Sequence, residues 1–112
     1  MSSTQVITLN GMYLTEAEIV NHLEQSLTLA DKKLIAAMPQ NKLVTLHHGL
    51  GTFIRNSYGL WTVNPITENW RTNPASHIKT PSGVDISPDH PDNMAMRIIQ
   101  ELWTRFDYLR KP

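Results

Sequence analysis

The last quarter of the chain constrains the fold most. Ala95, Ile98, Ile99, Leu102, Trp103, Phe106 and Leu109 recur every three to four residues, the period of one face of an α-helix and not of a strand. Pro91 suits the first turn of that helix, where its missing N–H costs nothing, and Asp92 suits the positive amino end. Arg110 and Lys111 fall at the carboxyl end, where positive charge is favoured. So wide an apolar stripe has to be covered by other elements, and the rest of the chain must supply them.

Two further helices are signalled upstream. Residues 1–14 read as an irregular or short extended lead, with Val6, Ile7 and Leu9 able to alternate and Asn10-Gly11 giving a turn. Thr15 with Glu18 is a capping box, after which Ile19, Val20, Leu23 and Leu27 mark one buried face. Thr28 and Asp31 repeat the pattern, with Leu34, Ile35 and Met38 as the apolar face and Pro39 as the stop. A third helix is predicted over 41–57, with Leu43, Leu46, His47, Leu50, Phe53 and Ile54 near one stripe. Gly49 and Gly51 each cost it about 1 kcal/mol against alanine, so the close approach of a ligand or of the last helix is expected there. Asn56 to Gly59 supplies the helix-ending turn.

From residue 62 to 89 the periodicity vanishes. Pro65, Pro74, Pro81 and Pro88 forbid a long helix, which predicts a long loop, the least protected part of the chain and the first choice for a partner-binding surface. Trp70 and Ile66 are expected to pin part of it to the helices. The predicted fold is all-α: one domain over residues 1–112, four helices, with a long proline-rich loop between the third and fourth.

Composition removes several classes of function. The 112 residues carry ten basic and ten acidic side chains, so no global field draws the protein to nucleic acid or an anionic membrane. Residues 39–79 hold a weak positive excess from Lys42, Arg55, Arg71 and Lys79 against Glu68. With no cysteine, disulfides, thiolate zinc sites and cysteine nucleophiles are excluded. The start of the chain lacks the charged and apolar regions of a signal peptide, and no run is long enough to span a membrane. A cytoplasmic soluble protein is expected.

One stretch concentrates unusual residues: Leu46-His47-His48-Gly49-Leu50-Gly51, then Ile54-Arg55-Asn56 and Gly59-Leu60-Trp61. With His90-Pro91-Asp92 leading into Ile98-Ile99 and Leu102-Trp103, these motifs resemble an uncharacterised family of small bacterial and phage-type domains of unknown function, over roughly residues 13–106. The resemblance implies a helical fold and no activity. In that family the segment between Trp61 and His90 is usually shorter, so properties borne by this loop belong to this chain.

His47 and Arg55 are eight residues apart on the third helix, with Gly51 between them on the same face. They can form a pocket in which Arg55 grips a carboxylate or phosphate. The competing reading makes Arg55 and Asn56 a tie from the helix end to the loop and to Asp92. His47, His48, His77 and His90 with Asp85, Asp89 and Asp92 lack the spacing of a metal site, and His90 reads more simply as a helix entry residue. No nucleophile elbow or phosphate-binding loop is present. Trp61, Trp70, Arg71 and Lys79 have the residue types of a single-strand binder, against a neutral net charge.

By elimination and by the flavour of the family, the chain reads as a protein-binding regulatory or inhibitory module of phage or mobile-element type. The candidate binding residues are His47, His48, Arg55, Asn56, Trp61, Trp70 and Arg71. The alternative is a small-anion or single-stranded nucleic-acid binder using Arg55, Arg71, Lys79 and Trp70, and a metal-dependent enzyme comes third. No catalytic residue, metal or cofactor is expected.

Overall fold

The structure, a computed structural model, describes residues 5–110; the first four residues of the lead and Lys111 lie outside that range. The lead is a small antiparallel hairpin, β1 (Thr8–Leu9) and β2 (Met12–Tyr13), with Thr8 opposite Tyr13. Asn10 and Gly11 join them at φ 53° and 78°, the doubly positive pair that a tight two-residue hairpin demands. This is the one sheet among the described residues and adds a β element to the expected all-α fold.

The remainder is mostly helical. Helix α1 (Glu16–Ser26) starts at the full capping box of Thr15 and Glu18, with Ile19, Val20 and Leu23 buried. Helix α2 (Leu29–Ala37) starts with Thr28 accepting from the Asp31 amide. Its buried face is Ile35 and Ala36, and Leu34 is 68% exposed. Adjacent helical residues point about 100° apart, so Leu34 and Ile35 cannot both face the core.

The third helix is corrected in kind. Its residues form three consecutive pieces: a 3₁₀ stretch over Gln40–Leu46, a single π turn over His47–Gly51, and helix α3 (Thr52–Ser57). A π turn widens the backbone and recurs at sites where a side chain must be re-aimed, and both interior glycines fall within it. The last helix, Pro91–Arg105, packs against this segment, yet a Cβ on Gly51 would meet Arg55 Nη1 at 3.0 Å. Gly51 thus makes room for a side chain one turn along its own helix. The segment ends as predicted: Gly59 has φ 70°, its amide reaches Asn56 O at 3.4 Å, and Leu60 N reaches Arg55 O at 2.9 Å, the paired closure that a glycine in left-handed conformation permits.

The stretch expected to be a loose loop is built. A 3₁₀ turn (Pro65–Thr67) leads into a short helix, α4 (Glu68–Thr72), then a second 3₁₀ turn (Pro74–Ser76) and a bridge pairing Lys79 with Asp85. The prolines do exclude a long helix, but they begin short ones at positions that need no amide donor. Asn64, Thr67 and Ser87 are fully buried. Asn64 Nδ2 donates to Leu14 O at 2.9 Å and Tyr58 O at 3.0 Å, while Oδ1 accepts from Ile66 N. A buried polar group costs stability unless it is bonded in this way.

Helix α5 (Pro91–Arg105) with its 3₁₀ extension (Phe106–Leu109) is the axis. Ala95, Ile98, Ile99, Leu102 and Phe106 are fully buried against Ile19, Leu23, Leu43 and Ile54, each large side chain contributing about 1.5–3 kcal/mol by leaving water. Arg97 grips Glu16 through two bonds of 3.1 and 2.8 Å, joining α5 to α1. The carbonyl end of α2 is met from afar: Trp103 Nε1 donates to Met38 O at 2.7 Å, and Arg110, stacked 4.0 Å over the Trp103 ring, donates to Ala36 O.

Candidate functional site

Several of the residues singled out from sequence lie along a polar seam running from the π turn to the start of α5, Arg55 and His47 among them. Arg55 is 7% exposed. Its Nη2 donates to Thr52 Oγ1 at 3.0 Å and His47 O at 3.3 Å, Nη1 meets His47 Nδ1 at 3.4 Å, and Nε lies 3.3 Å from Asp92 Oδ1. These are four longish contacts spread over three residues, unlike the short fork with which arginine takes a carboxylate ligand. The guanidinium stitches α3 to the first turn of α5, as the tie reading expects.

The other seam residues are engaged in the same manner. Arg71 donates from Nε to Thr67 Oγ1 at 3.1 Å, from Nη1 to Thr62 O at 2.6 Å and from Nη2 to Asn64 O at 2.7 Å. Trp70 is stacked on His77 at 4.8 Å and meets His90 at 4.3 Å in a tilted arrangement, with Trp61 edge-on at 5.8 Å. The stacked imidazole occupies a ring face that a nucleobase would need. Trp70 Nε1 donates to Asp85 Oδ2 at 3.0 Å, and His77 Nε2 donates to Trp70 O at 2.7 Å. Bonding to Ser87 and Trp70, with His90 nearby, holds the Asp85 carboxyl well below the usual carboxylate range.

His90 enters α5 as the sequence indicates: Nδ1 accepts from the Asp92 amide at 2.9 Å, capping the helix as asparagine or serine would. Asn93 holds the loop from the other side through Asp85 O and Ser87 O at 2.9 and 3.0 Å. Asn56 and Trp61 are exposed beside a shallow hollow of about 210 Å³ shared with Val6, Arg55 and Thr62. His48 is exposed, its ring edge-on to His47 at 5.2 Å. Lys79 lies apart, on the bridge to Asp85. Among the described residues there is no group of three or more histidine or acidic side chains placed to hold a metal ion.

A second region has the opposite character. Between α1, α2 and the π turn lies a groove of about 560 Å³, a size common among binding clefts. Leu27, Leu34, Leu46, Leu50 and Phe53 line it, with Tyr58 at its base. Phe53 is 49% exposed and Leu34 68%, so apolar side chains along the groove face water. Gly49 also lines the groove, and a Cβ built there would meet nothing within 4 Å. That glycine is a notch.

Polar groups line part of the groove. Ser26 Oγ donates to His22 O at 2.7 Å. Burial pushes the Tyr58 hydroxyl up to about 12, so it stays protonated, and its oxygen is hydrogen-bonded to His22 Nδ1 at 2.6 Å, a bond whose direction follows the tautomer of the ring. The sequence stripe assigned Leu46, Leu50 and Phe53 to the core together with Leu43 and Ile54; the structure buries Leu43 and Ile54 and leaves the other three along the groove.

Fold and site together define a small, mainly helical domain with a sealed polar seam and an open apolar groove. The chain belongs to a family described as a domain of unknown function (DUF6794), whose model matches residues 14–106. No curated protein and no solved structure matches it. No helix of the described residues is long and apolar enough to cross a membrane.

Proposed function

We propose that the protein is a small protein-binding module, regulatory or inhibitory in role, and that its docking face is the groove between α1, α2 and the π turn. One observation carries this reading. Apolar side chains that the helical pattern would bury, Leu34 and Phe53, stand exposed along a groove walled chiefly by α1, α2 and the π turn. Exposed contiguous apolar surface of this kind costs solubility unless something covers it, and an interhelical groove is a common seat for a partner's segment. The phage or mobile-element setting belongs to the same proposal and rests on family likeness alone.

The reading that uses Arg55, Arg71, Lys79 and Trp70 to hold an anion or a single strand has less support. Both arginines are spent on internal acceptors, and Trp70 is already stacked on His77 and packed against His90. Photo-crosslinking discriminates between the surfaces. Benzoylphenylalanine at position 53 should give a discrete protein adduct in lysate of the source cell, and Leu34→Asp should abolish it. The same probe at Asn73, on the loop, should give none. An adduct from position 73 alone would move the interface back to the loop.

A further inference from the structure

From the chemistry of the groove we infer that its occupant is an amphipathic helical segment of a partner protein, carrying a basic side chain beside its apolar anchors. This rests on the docking face proposed above. Among the residues lining the groove, Asp31 is the one carboxylate, and no lysine or arginine is present. The Asp31 carboxylate makes no ion pair among the described residues, and Tyr58 remains neutral at physiological pH. The groove therefore presents mainly apolar walls, with the polar His22, Ser26 and Thr28 beside one carboxylate that makes no ion pair among the described residues. Asp31 is exposed in the free protein; an acidic occupant would bring a like charge against it, whereas a basic one would pair with it as the occupant covers the carboxylate and lessens its screening.

Shape favours a helix. The walls are α1, α2 and the π turn, the surroundings in which partner helices lay residues i, i+3, i+4 and i+7 into a cleft. Gly49 leaves one wall without a side chain, giving a bulky partner residue a place to pass. Leu34 and Phe53 line the groove while largely exposed, so an occupant has two uncovered apolar side chains to pack against.

Two fluorescein-labelled peptides test this on the full chain. Both carry leucine at i, i+3, i+4 and i+7 of a helix; one has lysines at one flank and its twin has glutamates there. By fluorescence anisotropy the basic peptide should bind about ten-fold more tightly, a gap of about 1.4 kcal/mol. Asp31→Asn should shrink that gap to about two-fold, and Gly49→Leu should weaken both peptides by filling the notch. Equal binding of the twins, or a gap that survives Asp31→Asn, overturns the basic-partner inference. If both peptides nonetheless lose affinity in Gly49→Leu, the groove stands as the docking face and only its charge preference fails. Indifference of bound peptide to Gly49→Leu removes the docking face itself. No peptide binding, with decanoate or a second copy of the chain taking the groove in Gly49-dependent fashion, overturns the helical occupant.

Discussion

The polar seam and the apolar groove lie on the same π-helical turn and use it in opposite ways. On one side Gly51 gives its space to Arg55, whose guanidinium is then consumed by Thr52, His47 and Asp92. On the other side Gly49 gives its space to nothing, and the surface around it is apolar and open. Two glycines two residues apart thus have different physical reasons for being there. A cluster of histidine, arginine and tryptophan is conspicuous in a sequence because it is chemically rich, but richness that is satisfied internally holds a fold together. What is left unsatisfied is a better guide to what a protein binds.

The sharpest way to break this contrast is to remove Arg55. Arg55→Ala should destabilise the protein by about 1–3 kcal/mol, because it removes the hydrogen bonds that couple α3 to α5 and leaves their partners unpaired; chemical denaturation measures it. A loss of less than about 0.5 kcal/mol, the scale of an ordinary surface substitution, would place Arg55 among binding residues instead. A smaller effect follows from Asp85. Its folded pKa is depressed, chiefly by the Ser87 hydrogen bond, so its contribution is present above the ordinary carboxylate pKa of about 4. That stability is lost as pH falls from there through the folded value. Amides of the loop that Asp85 anchors, such as Ser87 N, should lose exchange protection between about pH 4 and pH 3, and Asp85→Asn should flatten that dependence. A loop equally protected across this range would contradict it.

Much of the fold was legible in the sequence where a local rule has one answer. The capping box of Thr15 and Glu18, the stop at Pro39, the turn at Gly59 and the stripe from Ala95 to Leu109 each state their structure within a few residues. His90 as helix entry and Asp92 as partner of Arg55 were readable too, because a histidine before Pro91 and an arginine near a helix end both need acceptors or donors close by. The loop was not readable. Its order comes from Asn64, Thr67 and Arg71 finding carbonyls of Leu14, Tyr58, Leu60 and Thr62, pairings that no periodicity encodes. The groove was hidden for a related reason: a leucine or phenylalanine on a helical stripe looks the same whether another element covers it or not, and the π turn shifts the register by which Phe53 would have been placed.

The central claim is that the seam supports the fold while the groove is kept for a partner. Paired thermal melts of Arg55→Lys and Phe53→Ser address it most directly. The lysine keeps the charge but cannot reach Thr52, His47 and Asp92 together, so Arg55→Lys should cost about 1–2 kcal/mol, lowering Tm by several degrees for a domain of this size. Phe53→Ser, on a half-exposed rim, should leave Tm within about two degrees of the parent. A parent-like melt for Arg55→Lys beside a collapse of Phe53→Ser would reverse the assignment and make His47, Arg55 and Asn56 the leading functional site.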